Sequence, residues 1–247
     1  MATWPTTVEE LEVAQAELAR RASDVEPWRP DQEQPLAVGG VFFASPSGSG
    51  GVAGEPAWAA AVVIREGRIV AEATAVGEAS APYIPGYLAL REGPLLERAI
   101  RALATAPEVL LVNASGRDHP RRAGLALHLG AILGLPTVGV TDRPLLAEPA
   151  DEPGEERGDA APLILGAESV GLLLRTRRGA RPVCVHAAWR TDAETAWAVV
   201  LAVTGHARTP EPLRLARYLA RVARSGDEGA LPEGWRADAG PVSPRGV

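Results

Sequence analysis

The chain contains no lysine: all 25 basic residues are arginines, which with the abundant Ala, Gly and Pro reads as codon bias of a GC-rich genome and carries no functional inference. A single cysteine excludes an internal disulfide framework. That residue, Cys184, lies in the apolar run PVCVHAA, which predicts a buried structural thiol rather than a nucleophile. No stretch approaches the roughly 20 uninterrupted apolar residues that span a bilayer. The N-terminal run MATWPTTVEELEVAQAELARR is acidic and amphipathic, unlike a secretory signal, so a soluble cytoplasmic protein is expected. Also missing are a dinucleotide fingerprint, a phosphate-binding glycine loop, a nucleophile elbow and a cysteine cluster. The histidines at 119, 128, 186 and 206 form no pair with metal-ligand spacing. A net charge of −6 argues against wholesale wrapping of nucleic acid, which draws its affinity from many cationic contacts, but leaves a local site open.

What is present suits one large α/β core in 247 residues. Residues 8–21 carry a helical stripe through Leu11, Ala14 and Leu18. LAVGGVFFA (36–44), AWAAAVVI and GRIVAEATAVG read as three strands, the last two joined by the turn REG, so an antiparallel meander is predicted. Period 3.6 from Gly86 to Ala104 predicts the central helix. EVLLVNAS, the helix RRAGLALHLGAILG and PTVGVTD then form a parallel strand–helix–strand unit. LLAEPADEPGEERGDAAP is predicted to be an acidic surface excursion; SVGLLLRTR and PVCVHAA are strands, and TDAETAWAVVLAVTG is a helix capped by Thr191 or Asp192. Two arginine clusters, at 117, 121 and 122 and at 175, 177, 178 and 181, read as solvated surface on composition alone. Residues 225–247 lack periodicity and are expected to be a disordered or loosely attached tail after a single domain over 8–224. This order of elements is that of a ribonuclease H-like mixed sheet flanked by helices, and pattern alone does not separate it from other mixed α/β sheets.

The segment PYIPGYLALREGPLL (82–96) resembles the PYIPGxLxFRExP signature of the endonuclease V family. LLVNASGRDHPRRAGLALHLG, LPTVGVTDRPL, EPGEERGDAAPL, VGLLLRTRRGARPVCV and RTPEPLRLARYLA resemble further family segments in the family's order, covering about residues 10–224. The resemblance implies a ribonuclease H-like fold and a Mg²⁺-dependent nuclease that recognises deaminated adenine and cuts one nucleotide 3′ to it. Such hydrolysis needs clustered carboxylates, because hard divalent ions take oxygen ligands beside the scissile phosphate.

Carried over residue by residue, the resemblance gives a depleted site. The first-strand aspartate falls on Phe42, the helix glutamate is kept as Glu92, and the second aspartate falls on Asn113. The family histidine falls on Arg217 and its lysine on Asp142. One carboxylate suits Mg²⁺ neither in charge nor in ligand number, so no metal cofactor is expected, with Mg²⁺ or Mn²⁺ required only if nuclease activity survives. Arg217 is expected to pair with Glu92 where the metal would lie. Binding positions are better kept: Tyr83, Ile84 and Pro85 match the family's wedge, and Gly86, Leu88, Gly116, Gly139 and Leu145 match its base pocket, with one pocket glycine changed to Ala114. His119 and Arg121 fall in the matching loop.

Three functions follow as expectations. The first is a non-catalytic binder of DNA or RNA containing deaminated bases. The second is an active divergent nuclease, in which Asp118, Asp142 or Asp192 would have to move into the site. The third is a pocket turned to a nucleoside-like metabolite.

Overall fold

The computed structural model describes residues 3–31 and 33–226, so the expected C-terminal tail falls, beyond Gly226, outside the described residues. In chain order the elements are α1 (Val8–Asp24), β1 (Val38–Ala44), β2 (Pro56–Arg65), β3 (Arg68–Glu78), α2 (Leu88–Arg101), β4 (Val109–Val112), α3 (Leu125–Leu133), β5 (Thr137–Thr141), β6 (Glu148–Pro149), β7 (Ala160–Leu165), β8 (Glu168–Leu174), β9 (Val183–Ala187), α4 (Ala193–Ala202) and α5 (Glu211–Ser225). The strands form one mixed sheet in the order β3-β2-β1-β4-β5-β9-β8-β7-β6. Only β1–β4 and β4–β5 run parallel.

The predicted meander is present. Glu66 and Gly67, both at positive φ, close the β2–β3 hairpin, the two-residue loop whose twist matches that of its strands. Alternation then sorts each strand's side chains between two helical layers. On β1, Val41 and Phe43 face α1, α2 and α3, whereas Phe42 and Ala44 face α5. On β2, Ala57, Ala59 and Ala61 line the first layer, and Ala60, Val62 and Ile64 the second. On β4, Leu110 and Val112 join the first layer; Val109 and Leu111 pack with α4 in the second.

Three boundaries differ from the sequence reading. The acidic excursion ends in strand β7 and contains the short β6. Pro162 hid β7, yet Ala161 and Leu163 alternate inward around it, and a proline is tolerated close to the sheet's short outer strand. Helix α2 starts at Leu88 rather than Gly86, because Gly86 has a φ of 84°. Helix α3 starts at Leu125 rather than Arg121, because Arg122 has a φ of 56° and Gly124 is its N-cap. The Asp192 side chain caps α4, accepting from Thr195 N at 2.8 Å, as one of the two candidates predicted.

Helix α5 lies close over β1 because Gly40 has no side chain: a Cβ there would run into the Pro212 carbonyl. Gly40→Ala must therefore push α5 off the sheet. The expected cost is about 1–3 kcal/mol, read as a lower midpoint in urea unfolding; an unchanged midpoint would show that α5 adjusts freely.

Candidate functional site

The turn that opens the site follows from its residues. Tyr87 N donates to Ile84 O at 3.0 Å, with Pro85 and Gly86 between them. Proline sets the first central φ and glycine takes the positive φ of the second, a type II turn. It holds Tyr83 and Ile84 outward, 57% and 38% exposed. Behind this turn is a cavity of about 190 Å³, walled by Tyr83, Pro85, Gly86 and Leu88 on one side and by Asn113, Ala114, Ser115 and His119 on another. Thr141, Arg143, Pro144 and Leu145 close a third side, and Gln15 from α1 a fourth.

Two charged groups hold these walls. The buried Asp118 carboxylate accepts from the backbone N–H groups of Leu145, Leu146 and Ala147 at 2.6, 2.8 and 2.8 Å, fixing the loop after β5. Arg121 donates to Gln15 Oε1 at 2.6 Å, Glu12 Oε1 at 3.2 Å and Gly86 O at 3.1 Å, and lies over the Tyr87 ring at 4.6 Å. His119 Nδ1 accepts from Arg121 N at 3.2 Å, so its Nε2 carries the proton donated to Gly86 O at 3.0 Å. Burial pushes His119 down to about 4, so it is neutral near pH 7. His186, also pushed down to about 4 by burial, has its Nε2 2.7 Å from the Thr141 hydroxyl, which itself donates to Arg143 O.

Of the binding residues expected from sequence, Tyr83, Pro85, Gly86, Leu88, His119 and Leu145 wall the cavity. Ile84 and Arg121 do not; the first is exposed beside Tyr83 and the second acts from behind. Gly116 and Gly139 do not face it either. A Cβ on Gly116 would meet Ala187 O, and one on Gly139 would meet Ala114 O, so both glycines admit neighbouring backbone rather than a ligand. The arginine clusters divide: Arg177, Arg178 and Arg181 are exposed, as expected, whereas the other four are held by the fold. Arg117 donates to Ala22 O, Arg122 to Leu165 O, and Arg175 to the carbonyls of Pro153, Gly154 and Ala180. Sequence reading missed Gln15, Ser115 and Arg143; Gln15 lies on a helix about 70 residues before the turn, and nothing local marks it.

Glu92 lies beside this cavity in a smaller one of about 150 Å³, with Val41, Phe43, Leu88, Leu96, Val112, Asn113 and Leu125. On β1, Phe43 lines this cavity with Glu92, while Phe42, the residue at which the resemblance puts the family aspartate, faces α5. The expected Arg217–Glu92 pair is not formed. Arg217 is exposed on α5 with its guanidinium 5.7 Å from the Phe42 ring centre, in the opposite layer. The carboxylates proposed to move in are committed elsewhere: Asp118 to the three amides, Asp142 to Arg208 at 2.5 Å, and Asp192 to its cap and to Arg29 at 2.6 Å. Among the described residues no three of His, Cys, Asp or Glu converge as metal ligands. On its other side Glu92 borders a cavity with Ser45, Ser49 and Arg91, so its surroundings offer one carboxyl, neutral groups and a cation, which does not fit a hard dication that takes about six oxygens. Cys184 is buried, and burial pushes its thiol up to about 11, which leaves it without thiolate character.

Burial also pushes the Glu92 carboxyl up to about 7, against the pull of Arg91. Between pH 4.5 and about 7 the folded protein keeps a proton that the unfolded chain releases, so this group's contribution to stability falls as pH rises through that window. The buried histidines at 119, 128 and 186 act oppositely, losing stability as pH falls from 6.5 towards about 4. Glu92→Gln is neutral throughout. It is expected to exceed wild type by about 2 kcal/mol at alkaline pH and to match it in acid, measured as Tm against pH; equal Tm values at alkaline pH would show that the carboxyl is not penalised by burial.

The sequence profile of Endonuclease V matches residues 22–218. An endonuclease V of Streptomyces avermitilis is 44% identical over 224 residues, 90% of this chain and 94% of that protein. The crystal structure of the S. avermitilis endonuclease V superposes with a TM-score of 0.80 at 42% identity, covering 92% of this chain and 96% of that one. The fold is also that of a Ciona intestinalis endonuclease V in complex with a 24mer DNA containing an inosine followed by a ribo-adenosine, with a TM-score of 0.66 at 21% identity, over 89% of this chain and 98% of that one. The chain, a ribonuclease H-like mixed sheet with the PYIPG turn at its cavity, belongs to the endonuclease V family.

Proposed function

We propose that this chain, acting through a single domain over residues 8–224, binds nucleic acid by holding one everted base in the cavity behind the Tyr83 turn, and that it lacks the family's metal-dependent strand scission. The observation that carries the second half is the wall around Glu92, where Phe43 and Asn113 leave one carboxyl with no anionic companion. Without clustered carboxylates there is no set of ligands to activate water or to stabilise the leaving oxygen.

The rim supports the first half. Tyr83, Ile84, Leu145 and Leu146 are apolar and exposed around the cavity mouth, a surface on which bases stack. The cavity between them is mostly apolar with a few polar groups, the pattern of a site for a flat heterocycle. Its relative in Ciona intestinalis is seen with inosine-containing DNA, which makes a deaminated purine the first ligand to test. Arg143, exposed at the mouth, is placed to meet a phosphate.

The test is a binding and cleavage assay on single-stranded and duplex oligonucleotides with one inosine, in Mg²⁺ and in Mn²⁺. Binding without cleavage above the level of Glu92→Gln is expected. Arg143→Ala should lower the slope of log affinity against log salt by about one unit. Metal-dependent cleavage that Glu92→Gln abolishes would sink the proposal in favour of an active divergent nuclease. Failure to bind any oligonucleotide, with stabilisation by a free nucleoside in a thermal-shift screen, would show that the cavity serves a small molecule instead.

A further inference from the structure

The two edges of the sheet are finished differently. One ends in β6, two residues long with Pro149 in it, which is too short and too poor in donors to pair with another strand. The other ends in β3, which runs for 11 residues without a proline and has a neighbour, β2, on one side only. Among the described residues, the β3 backbone makes one bond outside its pairing with β2, from Arg98 to Val76 O at 3.3 Å, long and exposed. A row of unpaired N–H and C=O groups of this length is a template for a further strand.

The side chains of β3, RIVAEATAVGE, say which strand fits. Arg68 is exposed at one end and Glu78 at the other, and neither has an ionic partner among the described residues. Between them Val70 and Val76 are 39% and 58% exposed, and Glu72 and Thr74 flank the central Ala73. Arg68 stands as far before Ala73 as Glu78 stands after it, and the same holds for Val70 with Val76 and for Glu72 with Thr74. In an antiparallel pair related by a two-fold axis at Ala73, these residues therefore meet each other, and every pair forms twice. Opposite charges, β-branched apolar pairs and a hydroxyl facing a carboxylate are the cross-strand pairs that stabilise a sheet. The adjacent registers lack this match: centring on Glu72 sets two carboxylates face to face, and centring on Thr74 sets Glu72 against Val76 and Glu78 against Val70. Val70 has no partner on β2, where the register shifts; this bulge twists one end of β3 and leaves Ala71–Glu78 regular, and the long Arg68 side chain spans it.

We propose that this edge is an interface between two copies of the chain, with β3 pairing antiparallel to β3 of a second molecule about a two-fold axis at Ala73, so that the sheet continues from one copy into the next. An isologous contact requires a surface complementary to itself, and that is the property β3 has. One strand edge is a small interface, so the dimer is weak and its population follows concentration. β3 runs in the same direction as β1, β4 and β5, and the partner's β3 runs against it. The cavities behind the two Tyr83 turns therefore lie at opposite ends of the joined sheet and both stay open. The dimer is independent of what those cavities bind.

Sedimentation of the full chain over a concentration series tests the contact, and a monomer–dimer equilibrium is expected. Arg68→Glu and Glu78→Arg each set like charges opposite one another at both ends, and each should raise the dimer dissociation constant about tenfold. Arg68→Glu combined with Glu78→Arg restores the pairs in reverse and should recover the wild-type value. Both side chains are exposed, so a Tm equal to that of wild type confirms that the monomer fold is intact. Disulfides read the register, since Cys184 is buried and out of reach. Under mild oxidation Ala73→Cys should link to itself, and Glu72→Cys should link to Thr74→Cys in a mixture but not to itself. A monomer at every concentration into the millimolar range would overturn the proposal. So would a dimer that both single charge reversals leave unchanged, or one in which Ala73→Cys forms no link.

Discussion

Arg121 can only donate, and the cavity exists because acceptors from separate parts of the chain gather around it. Glu12 and Gln15 come from α1, Gly86 from the turn before α2, and the arginine itself from the loop between β4 and α3. The Arg121–Glu12 pair is partly exposed and worth little by itself. The contacts to the Gln15 and Gly86 oxygens are the ones shielded from water, where a charge-assisted hydrogen bond is stronger and a missing one costs more. Asp118 does the complementary work on the far wall, a carboxylate that draws three consecutive amides of the loop after β5 inward. The site is thus framed by one partly buried cation and one buried anion, each surrounded by partners of the opposite polarity.

The neighbouring Glu92 lacks such a frame. Its surroundings are apolar apart from Asn113 on one side and border Ser45, Ser49 and Arg91 on the other, and burial raises its pKa against the weaker pull of Arg91. The closest cation, Arg91, is bound to the buried Glu55 and to the carbonyls of Val52 and Ala81, where it ties the loop after β1 to α2. Its guanidinium also lies 5.7 Å from the Phe43 ring centre. Phe43, the phenylalanine facing Glu92, thus has an aromatic-cation contact and belongs to a packed wall.

Much of this was legible in the sequence. The meander and the parallel pair follow from periodicity and turn signals. The family segments marked the right loops. What escaped was whatever depends on direction or on distance along the chain. The motif match singles out Phe42, and only the pleat, fixed by pairing with β2 and β4, shows that Phe43 is the one facing Glu92. Gly116 and Gly139 stand at positions the family resemblance assigns to the pocket, but their missing side chains make room for Ala187 O and Ala114 O. β7 was hidden because proline is rare in strands, and the rarity does not hold one strand in from a sheet edge. Gln15 was unreadable since a helix stripe shows which residues are buried, not which buried residue meets a cavity formed by three later segments.

These commitments also bear on the charge of the whole molecule. A chain with a net charge of −6 has few cations to spend on phosphates, and those of the loop between β4 and α3 are spent on carbonyl and carboxylate groups of its own fold. Binding driven by counterion release needs several free arginines in a row. What is left at the mouth is Arg143, among exposed apolar side chains. In the function proposed above, recognition would rest on shape, stacking and oriented hydrogen bonds within one small cavity, which act at short range and on one residue of a ligand at a time. That balance favours discrimination between bases over affinity for the polymer that carries them, and it places the burden of specificity on the few side chains whose orientation the fold does not leave to chance.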